Sequence, residues 1–210
     1  MKKISASQVK ELRDLTGASV IECREALIES GGNIEKAREC LRRKGKEKAG
    51  KKSGRETNEG VVSSYVHSNR KVGAMIELRC ETDFVAKNAE FQELAHDLAM
   101  HVAAMSPKYV SFSDVPEEDK KAFEESVRKE LAGPARNASR LGRDAGGEKK
   151  PAEIIEKIVE GKVKKNFEQM CLLDQAFIKN PEMTVSDLVK EKISKIGENI
   201  QVGNFVRFEI

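Results

Sequence analysis

No stretch of this 210-residue chain approaches the roughly 20 consecutive apolar residues that a bilayer-crossing helix needs. The first residues, Met1-Lys2-Lys3-Ile4, are basic but have no apolar run behind them, so they do not read as a signal peptide. Cys23, Cys40, Cys80 and Cys171 are scattered, with no Cys-x-x-Cys pair among them. That usage fits reduced thiols in a cytoplasmic protein, most of them serving as small core residues. Neither a Gly-x-x-x-x-Gly-Lys-[Ser/Thr] loop nor a Gly-x-Gly-x-x-Gly turn occurs, so the chain lacks the usual cradles for a nucleotide phosphate. His67, His96 and His101 are its only histidines. His96 and His101 stand five apart on one expected helix, on different faces, and read as solvent-side residues rather than a metal pair. No Ser or Cys lies in a nucleophile motif. An enzyme with bond-making chemistry, a bound cofactor or a metal is not expected.

Charge of one sign is also missing. Lys and Arg total 38 against 35 Asp and Glu, a net charge of +3, which does not mark the whole molecule as a nucleic-acid binder. The basic residues do cluster: Arg42, Arg43, Lys44, Lys46, Lys48, Lys51, Lys52 and Arg55 crowd one segment. Such a run can meet phosphates or be a solvated linker or helix end. It lacks the interleaved aromatics that stack on bases, so no nucleic acid is required as a partner.

What is present is organised with explicit punctuation. Ser5 and Gln8 fit a capping box with Ile4 and Val9 as its hydrophobic staple, and Gly17 stops the helix. Ser19 and Glu22 fit a second box, followed by Val20, Cys23 and Leu27 at i, i+3, i+7, with Gly31-Gly32 as the stop. Asn33 can cap a third helix carrying Ile34, Ala37 and Leu41, closed by Gly45. Ile21 and Ile28 lie off the second helix's stripe. Either the helix has a wide buried face, or its start, with Val20 and Ile21, presents an apolar contact. The expected organisation is a three-helix module over 1–46, a basic linker over 47–58, and an α+β core over 59–210. A Gly-, Ala- and Arg-rich insertion, expected to be flexible, interrupts that core at 133–150.

Within the core the period changes to two. Val62, Ser64 and Val66 alternate with Val61, Ser63 and Tyr65; after a Ser68-Asn69-Arg70 turn, Val72, Ala74, Ile76, Leu78 and Cys80 share one strand face. A helix then carries Phe91, Leu94, Ala95, Leu98, Val102 and Met105. A charged helix follows from about 117 to 131, and from Pro151 a helix carries Ile155, Ile158, Val159 and Val163. Met170-Cys171-Leu172-Leu173 suggests a strand, Phe177 to Pro181 a loop with exposed apolar residues, Thr184 a helix cap, and Val206, Phe208 and Ile210 a last strand. Early and late strands with helices between them predict an α+β fold with a mainly antiparallel sheet.

The most informative run, Glu81-Thr82-Asp83-Phe84-Val85-Ala86-Lys87-Asn88, sits at the strand-to-helix corner after the hairpin. Asp83 and Phe84 there are either a cap and the start of the core, or a carboxylate and a ring held outward for a partner.

Taken in order, three sets of residues carry a resemblance. They are Leu12-Arg13-Asp14-Leu15-Thr16-Gly17-Ala18 with Glu22-Cys23 and Ala26-Leu27; Glu77 through Asn88; and Ala99 to Ala104 with Val159-Glu160-Gly161-Lys162 and Arg207-Phe208-Glu209. Over nearly its whole length the chain resembles the bacterial elongation factor Ts family, guanine-nucleotide exchange factors for elongation factor Tu, in the short form with a single core domain. The resemblance implies a UBA-like helical module that docks on the partner's G domain through Arg13, Val20 and Ile21. It implies that Thr82, Asp83, Phe84 and Val85 dislodge Mg²⁺ from the partner's nucleotide site. Phe177 and Ile178 match a region that touches a second domain of that partner. It also implies a homodimer formed through the core, two copies embracing two partners, in the cytoplasm and away from any membrane. A helical-bundle adaptor without exchange activity is the alternative, and the corner motif is what such an adaptor would not need.

Overall fold

The capping boxes form as their sequences dictate. In a computed structural model, whose described residues are 4–132 and 152–210, Ser5 and Gln8 open helix α1 (Ala6–Thr16) reciprocally, and Gly17 closes it at φ 67°. Ser19 and Glu22 do the same for α2 (Val20–Glu29), and the Asn33 side chain accepts the Lys36 N–H at 2.9 Å to open α3 (Ile34–Lys52). Leu12, Cys23, Ala26, Leu27 and Ala37 form the sealed centre of this bundle, with Ile4, Val9, Ile34 and Leu41 packed around it.

The third helix does not stop at Gly45. It runs on to Lys52, through the first part of the segment expected as a linker. Lys, Glu and Ala there are good helix formers, and the glycine has a packing use that offsets its cost of about 1 kcal/mol in a helix interior. A Cβ on Gly45 would lie 3.2 Å from Ser194 Oγ on helix α8 (Val185–Ile196), so the bare backbone lets the two helices approach closely. Acids quench much of the basic run: Lys44 pairs with Glu29 at 2.7 Å, Lys46 with Asp187 at 2.7 Å, and Lys48 with Glu22. The end of the segment is tied down as well. Asn199 donates to the carbonyls of Ser53 and Arg55 at 3.4 and 2.8 Å, and the Thr57 hydroxyl donates to Gln201 at 3.1 Å.

Strands β1 (Glu59–Val66) and β2 (Val72–Cys80) form the hairpin, with Arg70 at φ 56° in its turn. Strand β2 pairs on its other side with β5 (Ile200–Glu209), which starts six residues before the expected Val206; the sheet is three-stranded and antiparallel, in the order β1-β2-β5. Ala74, Ile76, Leu78 and Cys80 face inward together with Phe91, Leu94, Leu98 and Val102 of α5 (Ala89–Met105). The α+β class with a mainly antiparallel sheet is observed. The opposite face of the sheet carries Val62, Val66, Met75, Val206 and Phe208, all exposed.

Two compact units are present, one from residues up to Ser106 with Ala176–Ile210, the other within Pro107–Gln175. In the second, Phe167, Val159 and Val163 of α7 (Ala152–Glu168) pack with Val127 of α6 (Glu117–Ala132), Val115 and Cys171. The expected strand at Met170–Leu173 is instead a single bridge between Cys171 and Tyr109 followed by a 3₁₀ turn at Leu172–Asp174; a run that short, with its neighbours entering a turn, has no room for a ladder. The insertion proposed at 133–150 lies outside the described residues.

Candidate partner-binding site

After Cys80 the chain turns sharply into one helical turn, α4 (Asp83–Ala86), before α5. A four-residue helix cannot hold itself, because nucleation fixes several residues for a single bond. Its own cap is weak, with Thr82 Oγ1 accepting from Val85 N at 3.5 Å. The corner is held from below. Val85 and Ala86 are buried, and the Gln92 amide donates to the Ala86 carbonyl at 3.3 Å. Glu81 accepts the Asn199 N–H at 2.6 Å and faces Arg55 at 3.4 Å. Glu198 accepts both the N–H and the O–H of Thr82, at 3.0 and 2.7 Å.

On that base Phe84 is 83% exposed. Phe84 therefore does not start the core; that place is taken by Val85. Asp83 binds Lys87 one turn on at 2.8 Å, so its carboxyl sits below the usual range while Lys87 sits above the usual lysine range. The result is a bare ring beside a neutralised ion pair. Such a surface brings no net charge to a contact, although the pair itself would cost desolvation if it were buried.

A second apolar group flanks the turn between α1 and α2. There Val20 is 52% exposed and Ile21 is 71% exposed, with the Arg13 side chain in solvent; Ile28, at the other end of α2, is 51% exposed. Of the two readings of Val20, head of the stripe or apolar contact, its exposure favours the second: as the first residue of α2 it lies beyond the rim of the small core. Leu15, which pattern reading passes over, is 58% exposed. Its signal was present: Val9, Leu12 and Thr16 take the inward line at i, i+3, i+7, which leaves Leu15 outside.

The Phe177–Ile178 site divides. The segment expected as a loop forms short strands β3 (Ala176–Phe177) and β4 (Asn180–Thr184), and Phe177 is buried, stacked on His101 with ring centroids 6.0 Å apart. Ile178 remains 40% exposed, while its N–H donates to His101 Nδ1 at 3.2 Å. His101 is thus a buried residue of α5 and not a solvent-side one.

Comparison with known proteins identifies the family. The family described as Elongation factor TS matches residues 2–210. The chain belongs to the elongation factor Ts family. The elongation factor Ts of Thermosipho melanesiensis is 52% identical over 207 residues, covering 99% of this chain and 98% of that protein. That of Thermodesulfovibrio yellowstonii is 48% identical, covering 99% and 96%, and that of Carboxydothermus hydrogenoformans is 49% identical, covering 99% and 89%. Membership of the elongation factor Ts family makes this a translation elongation factor. Among the described residues no helix is long and apolar enough to cross a membrane.

Proposed function

We propose that the protein binds elongation factor Tu carrying GDP and speeds nucleotide release, acting by binding and without bond-making chemistry or a cofactor of its own. The observation that carries this reading is Phe84, a ring 83% exposed on a corner whose neighbours are buried or hydrogen-bonded. An aromatic side chain with two χ angles loses little entropy on insertion. Its entry would shift the partner elements that hold Mg²⁺ and phosphate, leaving phosphate charge uncompensated in a site built around the ion. Thr82, Asp83 and Val85 shape the same wedge.

In this reading the helices over 1–46 form the docking module, and Arg13, Val20 and Ile21 anchor it on the G domain, with Leu15 beside them. Ile178 meets a second domain, while Phe177 supports it from within. Two copies pair through the open sheet face, giving a 2:2 assembly in the cytoplasm. The exposed apolar row of Val66 and Phe208, on either side of Gly73, favours that pairing. Phe208→Glu should reduce the sedimenting mass to that of one chain; an unchanged mass would place the dimer contact elsewhere or remove it.

The exchange activity is tested by release of a fluorescent GDP from elongation factor Tu. Strong acceleration by catalytic amounts of the protein is expected. A folded protein that binds elongation factor Tu but leaves release at its spontaneous rate would favour the adaptor.

A further inference from the structure

The corner is a single helical turn that its own residues cannot hold, and the group that grips it comes from 116 residues away in sequence. Glu198 is an acceptor-only side chain when ionised, and each of its oxygens takes one of Thr82's two donors, at 3.0 and 2.7 Å. Charge-assisted bonds of this kind are roughly twice as strong as neutral ones. Glu198 is itself fixed from both sides. Before it, Gly197 ends α8 at φ 94°, a conformation that favours glycine, and its carbonyl accepts from Lys52 at the end of α3 at 2.6 Å. After it, Asn199 is 1% exposed, with its N–H on Glu81 and its amide nitrogen on the carbonyls of Ser53 and Arg55. The three-residue loop 197–199 therefore joins the end of α3, the end of α8 and the corner that carries Phe84.

From this juxtaposition we infer that Glu198 is a positioning residue for exchange: through Thr82 it sets the pose of Phe84 and fixes the corner relative to the helices that dock the partner. The inference rests on the exchange reading above and names the device behind it. A wedge that must be ordered during binding loses part of its effect to that ordering, and a preformed one does not. Gln at this position could still accept the Thr82 N–H and donate to the Thr82 hydroxyl, so it would keep the contacts and lose the charge assistance that Glu supplies.

The test measures nucleotide release from elongation factor Tu against factor concentration, for wild type, Glu198→Ala, Glu198→Gln, Thr82→Val, Thr82→Ser and the double variant Thr82→Val/Glu198→Ala. Circular dichroism at the assay temperature establishes that each is folded. Glu198→Ala is expected to lower the plateau rate about tenfold, equivalent to roughly 1.4 kcal/mol. Its half-saturating concentration should move less than about twofold, since the docking helices are intact and 1.4 kcal/mol would be needed for a tenfold move. Thr82→Ser, which keeps both donors, should lose less of the plateau than Thr82→Val, and Glu198→Gln should fall between wild type and Glu198→Ala. The double variant should lose no more than the worse single one. A merely stabilising role would instead lower the melting temperature and leave the plateau of the folded protein unchanged, which overturns the inference. So would losses that multiply in the double variant, because Glu198 would then act on the partner directly. If wild type itself fails to accelerate release, the exchange reading falls and this inference with it; wild-type acceleration with an intact Glu198→Ala plateau removes the inference alone.

Discussion

The turn between α1 and α2 and the corner at Thr82–Asn88 both push apolar side chains into solvent, but they are held by opposite means. The first rests on local bonds. Ser5 with Gln8 and Ser19 with Glu22 are each three residues apart, and the core beneath is built from neighbours within one small bundle. The second rests on distant ones. Its anchors, Glu198 and Asn199, arrive from the far end of the chain and reach it through the end of α8. A locally held surface can present area for affinity even where its helix ends fray. A remotely held corner presents one ring in one place, which is what a displacement step needs. The comparison assigns binding strength mainly to the bundle and rate acceleration mainly to the corner.

The largest effect that would sharpen this contrast comes from the bundle core. Leu27 is fully buried there, and Leu27→Ala should destabilise it by about 2–5 kcal/mol. Calorimetry should show an earlier transition. Exchange assays should show weakened binding, with the plateau regained at high factor concentration. A lost plateau with unchanged affinity would reverse the assignment of roles.

A smaller change probes the local bonds. Ser19→Ala removes the α2 cap and should cost about 1 kcal/mol, read as a lower denaturation midpoint with unchanged plateau rate. The neutral result would mean that α2 is set by its packing alone.

The smallest effect is one of pH. The Lys48 hydrogen bond holds the Glu22 carboxyl down at about 2, against an ordinary 4.5. A depressed carboxyl contributes stability that is complete above its unfolded value and is lost as pH falls through the folded one. The bundle should therefore lose this contribution between pH 4.5 and about 2. Because Glu22 is partly exposed, the thermal midpoint should move only slightly. Lys48→Met should flatten that part of the profile. An identical acid profile in the variant would show that the pair does not couple α2 to α3.

The same contrast explains what could be read from sequence. The caps at Ser5, Ser19, Asn33 and Thr184, the alternation in β1 and β2, and the inward face of α5 are all local patterns, and each was legible. The exposure of Phe84 was legible as one of two options, because the corner was recognisable and its burial was not. Glu198 and Asn199 were invisible, since nothing near residue 198 announces a bond to residue 82. Gly45 misled for a related reason: a glycine in a basic run reads as a stop until α8 is known to pack against it. Phe177 and His101 hid each other, each reading as exposed when its partner's position was unknown.

The most direct test of the division of roles is the concentration dependence of nucleotide release from elongation factor Tu, with Phe84→Ala and Ile21→Ser measured side by side. Both side chains are mostly exposed, so neither change should move the melting temperature appreciably. The account predicts that Phe84→Ala lowers the plateau at least about tenfold, and that Ile21→Ser raises the half-saturating concentration by a similar factor, each step worth roughly 1.4 kcal/mol. A Phe84→Ala protein that reaches the wild-type plateau at higher concentration would make the ring one more docking contact, and would contradict the account.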